Sequence, residues 1–144
     1  SQTYWDKAYS GGRYGSSFDW YGGWEDADIH GRSLAELVRP LLPKESRILV
    51  LGCGNSNLSA LIHGEGFGGV VSVDISEPVI EQMRRSYGDV AGLQWHAMDA
   101  GALQFPDASF DLAIEKGMFD ALYAGTGSHV AAVLREARRV LKRQ

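Results

Sequence analysis

The sequence is short of almost everything that would build a site from cysteine or histidine. It has one cysteine, Cys53, which cannot close an intramolecular disulfide, and its four histidines, His30, His63, His96 and His129, are scattered without metal-ligand spacing. A disulfide framework and a metal centre are therefore not expected, and each histidine reads as a surface or packing residue. No apolar run approaches the length of a membrane span, and the first residues lack the basic-then-apolar layout of a signal peptide, so the expected setting is cytoplasmic. Net positive charge is missing as well. At −4, with a pI near 5.5, the chain is not suited to nucleic acid or to an anionic membrane, and a basic protein fits better as a partner. Repeats, linkers and low-complexity stretches are also absent. With 144 residues, 44% hydrophobic and 22% charged, the chain can bury one ordinary core but not two. The expectation is a single domain over residues 1–144, with an aromatic amino-terminal arm at 1–24 and a core at 25–144.

What is present is concentrated in two runs. Arg47-Ile48-Leu49-Val50-Leu51 ends in Gly52-Cys53-Gly54-Asn55-Ser56, and Val70-Val71-Ser72-Val73 ends in Asp74, 22 positions after Gly52. This is the layout of a nucleotide-binding βαβ unit. Gly52 and Gly54 carry no Cβ and tolerate positive φ, so the backbone can turn sharply and admit a ligand at contact distance. Asp74 at the end of the second strand can accept hydrogen bonds from ribose hydroxyls. A dinucleotide site would carry a third glycine where this chain has Asn57, which disfavours NAD. Gly-Cys-Gly-Asn-Ser needs only to hold a small zwitterion and a ribose, and that suits S-adenosylmethionine. A tight turn without a ligand is the competing reading of the glycines alone, and the spacing to Asp74 tells against it.

The remaining pattern alternates helix and strand. Leu34, Leu37, Val38 and Leu41 mark one helical face ending near Pro43, Asn57–His63 predicts a short helix with Leu58, Leu61 and Ile62 inward, and the glycine-rich stretch 64–69 ends it. Ser76 is positioned to cap a helix with Pro78 in its first turn and Val79, Ile80, Met83 and Tyr87 buried. Leu93–Met98 and Phe110–Glu115 are predicted as third and fourth strands. Val130, Val133, Leu134, Ala137, Val140 and Leu141 form the apolar face of a last helix whose basic residues complement its dipole. This alternation predicts an α/β fold: a Rossmann-like parallel sheet with helices on both faces.

Several of these segments together resemble class I S-adenosylmethionine-dependent methyltransferases. They are Ile48–Ser59, Val73-Asp74-Ile75-Ser76, Val79–Met83, Met98-Asp99, Phe105–Asp111 and Glu115-Lys116-Gly117. Within that class the chain is most similar to the protein-lysine methyltransferases of translation elongation factor 1A, a likeness that extends to Tyr4-Trp5-Asp6, Tyr9 and Phe18-Asp19-Trp20-Tyr21. The resemblance implies S-adenosyl-L-methionine as cofactor, with Gly52 beside its methionine part and Cys53 and Gly54 also in the binding site, Asp74 and Ile75 at ribose and adenine, Met98 and Asp99 at the adenine edge, Trp5, Tyr9 and Trp20 over it, and Lys116 in contact with it. Aromatic rings there would act as a lid that excludes water and tolerates a sulfonium. An arm packed for stability alone is the other reading.

Methyl transfer to an amine needs alignment, exclusion of water and a neutral nucleophile. Glu115 and Asp120 are the carboxylates expected to orient that amine, with strand-end and helix-cap roles as the alternative. The chain departs from the family at Gly117-Met118-Phe119-Asp120, where threonine usually follows the glycine. It departs again after Lys142, where relatives continue into further strands of a seven-stranded sheet, so the expected topology stops after the fourth strand and its helix. That leaves Phe110–Ile114 as an expected open edge able to self-associate. The expected activity is methylation of a protein lysine. A catalytically weak S-adenosylmethionine-binding module with a regulatory role, and a small-molecule methyltransferase, are the alternatives.

Overall fold

The computed structural model describes residues 1–123 and 128–143, so Gln144, the last residue of the expected domain, lies outside the described part. Four parallel strands, β1 (Arg47–Leu51), β2 (Gly69–Asp74), β3 (Leu93–Ala97) and β4 (Leu112–Glu115), form one sheet in the order β3-β2-β1-β4. Val50 of β1 lies between Ser72 of β2 and Ile114 of β4, which fixes the register at the sheet centre. The central strands are covered on both faces and therefore read as continuous apolar runs. Ile48, Leu49, Val50 and Leu51 are all at most 3% exposed.

Period-two alternation divides those side chains between two cores. Ile48, Val50, Val70 and Ile114 pack on one face with Trp24, Phe67, α3 (Leu58–Gly64) and α4 (Glu77–Tyr87). Leu49, Leu51, Val71 and Val73 pack on the other with Phe110 and α6 (Ser128–Val140). Burying each such side chain stabilises the fold by about 1.5–3 kcal/mol. At the amino end, α1 (Gln2–Ser10) packs against α4, and α2 (Leu34–Val38) begins with a capping box in which Ser33 and Glu36 satisfy each other's backbone N–H.

Several sequence expectations are corrected. The helix expected to run toward Pro43 is α2, which stops at Val38 because Pro40 has no N–H to extend the ladder. Its buried residues are Ala35 and Val38, while Leu37 and Leu41 are exposed. Leu61 and Leu134 likewise face outward, each flanking an apolar stripe already wide enough to seal its helix. Ser76 occupies the N-cap position of α4, but its buried hydroxyl has no partner among the described residues.

The fourth strand starts its regular ladder at Leu112 rather than Phe110. Phe110 is fully buried and bridges Leu141 in parallel. Its N–H donates to the Val140 carbonyl (3.0 Å) and its own carbonyl accepts from the Lys142 N–H (2.9 Å). Lys142 Nζ also lies 3.0 Å from Asp111 Oδ1. The start of the expected open edge is thus covered by the chain's own segment.

Candidate functional site

The glycines, carboxylates and lysine expected at a ligand site lie at or beyond the carboxyl ends of the four strands, where the strand order reverses between β1 and β4. Beyond β1, Gly52 and Gly54 take φ of +64° and +50°, a region that costs an L side chain about 1–2 kcal/mol. Space matters as much as conformation. A Cβ on Gly54 would lie 2.5 Å from the Tyr9 hydroxyl, and one on Gly52 would lie 2.9 Å from Met118 Cβ. The two glycines therefore let α1 and α5 (Met118–Tyr123) close onto the turn.

Asp74 ends β2 and is buried. Its Oδ2 accepts from the Gly54 N–H (2.9 Å) and its Oδ1 from the Ser76 N–H (3.0 Å), tying the first two strand ends together. Burial raises its carboxyl above the ordinary carboxylate range, opposed by those backbone N–H groups. Burial, and then the Asp74 charge, push the Tyr9 phenol and the Cys53 thiol upward, so both stay uncharged near neutrality. On α1, Asp6 Oδ1 is buried without a partner among the described residues.

Beyond β3, Asp99 Oδ1 accepts from the Gly101 N–H and from His129 Nε2, each at 2.7 Å. Beyond β4, Lys116 pairs with Asp19 and donates to the Gly22 carbonyl. Gly117 (φ +94°) lacks the Cβ that would crowd Trp20 and Tyr21 at 3.2–3.3 Å. Glu115 Oε1 accepts from the Phe119 N–H (3.0 Å) at the start of α5. Asp120 accepts from the Tyr21 hydroxyl, a bond that raises the Tyr21 phenol. The arm is thus clasped to the turn after β4 by Asp19, Tyr21 and Gly22. Its rings continue as a contiguous series, with Trp5–Tyr9 centroids 6.0 Å apart and Tyr14–Trp20 centroids 5.7 Å apart.

These elements enclose a cavity of about 140 Å³, far larger than the roughly 10–15 Å³ that one water requires. Trp5, Tyr9, Trp20, Gly52, Asp74, Ile75, Met98, Asp99 and Lys116 all contribute to its wall. Cys53 and Gly54 line a smaller neighbouring space of about 30 Å³, bounded also by Tyr9, Gly52 and Lys116. Glu115 and Asp120 border neither cavity, although their links to α5 and to Tyr21 keep them at the turn that carries Lys116 and Gly117. Met118, Leu122, Val133 and His129 also line the wall; none is expected at a ligand site from the sequence, Val133 being expected on the apolar face of the last helix and His129 as a surface or packing residue. Leu122, Val133 and His129 have no motif beside them, whereas Met118 directly follows Glu115-Lys116-Gly117. His129 meets its partner across 30 residues, a distance at which no local pattern signals contact.

The wall combines apolar side chains with buried or half-buried carboxylates at two strand ends and the aromatic rings of the arm, so it fits an adenosine bearing a cationic tail. A sequence profile described as a methyltransferase domain matches residues 49–144. The chain belongs to that family, of the S-adenosylmethionine-dependent class I type, and S-adenosylmethionine is its cofactor. It is 42% identical, over 96% of its length, to EEF1A lysine methyltransferase 4 of Bos taurus, of which it covers 55%. It is 34% identical, over 99% of its length, to the eEF1A lysine and N-terminal methyltransferase of Mus musculus, of which it covers 20%. Among solved structures, an S-adenosylmethionine-dependent methyltransferase from Mesorhizobium loti aligns with a TM-score of 0.58 and 28% identity, over 74% of this chain and 47% of the other. The chain thus spans about half the cattle relative and a fifth of the mouse one. Among the described residues, no helix is long and apolar enough to cross a membrane.

Proposed function

We propose that this chain carries the cofactor-binding and methyl-transferring core of a protein-lysine methyltransferase, with translation elongation factor 1A as its substrate. The observation that carries the reading is the single cavity joining Gly52, Asp74 and Asp99 beneath Trp5, Tyr9 and Trp20. The names borne by the cattle and mouse relatives support the acceptor, and they favour an enzyme over a regulatory binding module. When bound, S-adenosylmethionine supplies a methyl group on a sulfonium centre.

In this reading Asp74 accepts from the ribose hydroxyls. Gly52, with Cys53 and Gly54 behind it, lets the methionine part approach the backbone. Ile75 would pack against the adenine, and Met98 and Asp99 would border its edge, where Asp99 can accept from the exocyclic amine. Trp5, Tyr9 and Trp20 exclude water, and their faces tolerate positive charge. Lys116 borders the cofactor and holds the arm closed through Asp19. Glu115 and Asp120 orient the acceptor amine, Asp120 in company with the Tyr21 hydroxyl.

A cytoplasmic setting belongs to the same reading, as does self-association through β4 beyond the covered Phe110, for which light scattering across a concentration series is the test. Calorimetric titration of the chain with S-adenosylmethionine tests the site. One-to-one binding, weakened in Asp74→Ala, is expected, and an absence of binding would overturn the assignment.

A further inference from the structure

His129 is a ring from the other layer of the fold that reaches into the cavity. It is the second residue of α6, and its Nε2 lies 2.7 Å from Asp99 Oδ1. A carboxylate oxygen accepts, so Nε2 carries the hydrogen. The Gly101 N–H donates to the same oxygen, also at 2.7 Å. Gly101 is shaped around this contact. A Cβ there would lie 2.6 Å from His129 Cε1 and 2.7 Å from Nε2, and Gly101 is absent from the positive-φ glycines, so its missing side chain provides room rather than backbone freedom. Both donors converge on Oδ1, and no side-chain or backbone donor engages Oδ2 among the described residues. Asp99 and His129 both face the cavity.

We infer that His129 is a positioning and specificity-determining residue for the nucleobase: by anchoring Oδ1 of Asp99 it turns Oδ2 into the cavity as an acceptor that selects a 6-amino purine over a 6-oxo purine. An adenine amine donates to Oδ2, whereas a hypoxanthine carbonyl would set oxygen against oxygen. A carboxylate free to rotate would present either oxygen or withdraw toward solvent, and the pair is open enough for that, with side chains 39% and 44% exposed. The inference rests on the reading that the cavity holds the adenosine part of the cofactor with its base at Asp99.

The test compares S-adenosylhomocysteine with its deaminated analogue S-inosylhomocysteine by calorimetry on the wild-type chain, His129→Ala, His129→Gln and Gly101→Ala, each checked for cooperative thermal unfolding. Wild type is expected to prefer the adenosyl ligand. In His129→Ala that preference should shrink by roughly three- to tenfold, the net worth of one hydrogen bond. Gly101→Ala, which evicts the ring, should reproduce the loss, and His129→Gln, which keeps an N–H donor, should recover part of it. A general loss of packing would weaken both ligands equally and leave the ratio unchanged. An unchanged ratio in both His129→Ala and Gly101→Ala would overturn the inference while leaving the cofactor reading intact. Failure of the wild-type chain to bind S-adenosylhomocysteine would instead overturn the cofactor reading itself.

Discussion

Replacing Asp74 with alanine should separate the two tasks of this carboxylate. In the ligand-free protein it satisfies the Gly54 and Ser76 N–H groups at 2.9 and 3.0 Å in a buried setting. Leaving a buried donor unpaired costs about 1–3 kcal/mol, so with two donors stranded and partial relaxation the variant should lose about 2–4 kcal/mol of stability by chemical denaturation. The same side chain is the expected acceptor for the ribose hydroxyls. Removing a charged acceptor should cost a further 1.5–3 kcal/mol, roughly 10- to 150-fold, in S-adenosylmethionine affinity by calorimetry at a temperature where the variant remains folded. Burial raises the carboxyl from its ordinary value of 3.8. Affinity in the wild type should therefore hold above the raised value and fall as pH drops through it, at a higher pH than for an exposed aspartate. A variant that is less stable but binds with unchanged affinity would refute the ribose role, and one that is equally stable would refute the role as a clamp on the Gly52–Gly54 turn.

Three further outcomes follow from other parts of the fold. Lys116→Met removes the link to Asp19 and the Gly22 carbonyl, so protease cleavage within residues 1–24 should accelerate and S-adenosylmethionine affinity should fall by about 1.5–3 kcal/mol, while the sheet still unfolds cooperatively; a protected arm would refute the clasp. Phe110→Ala empties a fully buried site between β4 and the chain after α6 and should destabilise by about 3–5 kcal/mol in denaturant, whereas a loss under 1 kcal/mol would show that the covered edge contributes little. Arg39 and the Trp24 indole N–H hold the Glu65 carboxyl at about 2, below its ordinary 4.5; its stabilisation is present above 4.5 and lost as pH falls toward 2, so Glu65→Gln should flatten that part of the acid limb of a thermal-stability profile, and an unchanged limb would contradict it.

The legible parts of this fold are those where a local pattern and a tertiary need coincide. Arg47–Leu51 is a strand in both readings because a centrally buried parallel strand must be apolar at every position after its first. Val79, Ile80 and Met83 are inward on α4 for the same kind of reason, since the helix has one wet side. Misreadings arise where the stripe is wider than the surface that receives it. Leu37, Leu41, Leu61 and Leu134 fall on helical periods, yet their helices end early or are already sealed by neighbouring apolar residues. Within the aromatic arm expected at 1–24, helix α1 is not legible because Trp5, Ala8 and Tyr9 are apolar on one side but offer no strong helix-forming signal, and the helix packs against α4. At the site, Gly52, Gly54 and Asp74 were legible from spacing alone, whereas Asp19, Tyr21 and His129 act through contacts made across the fold.

The central claim concerns transfer as well as binding. Incubating the chain with methyl-labelled S-adenosylmethionine and purified translation elongation factor 1A, then locating the label by mass spectrometry, tests it most directly. The account predicts label on a lysine side chain of the factor, reduced at least tenfold with Asp74→Ala at subsaturating cofactor. Stoichiometric binding of S-adenosylmethionine with no label on any lysine of the factor would contradict it.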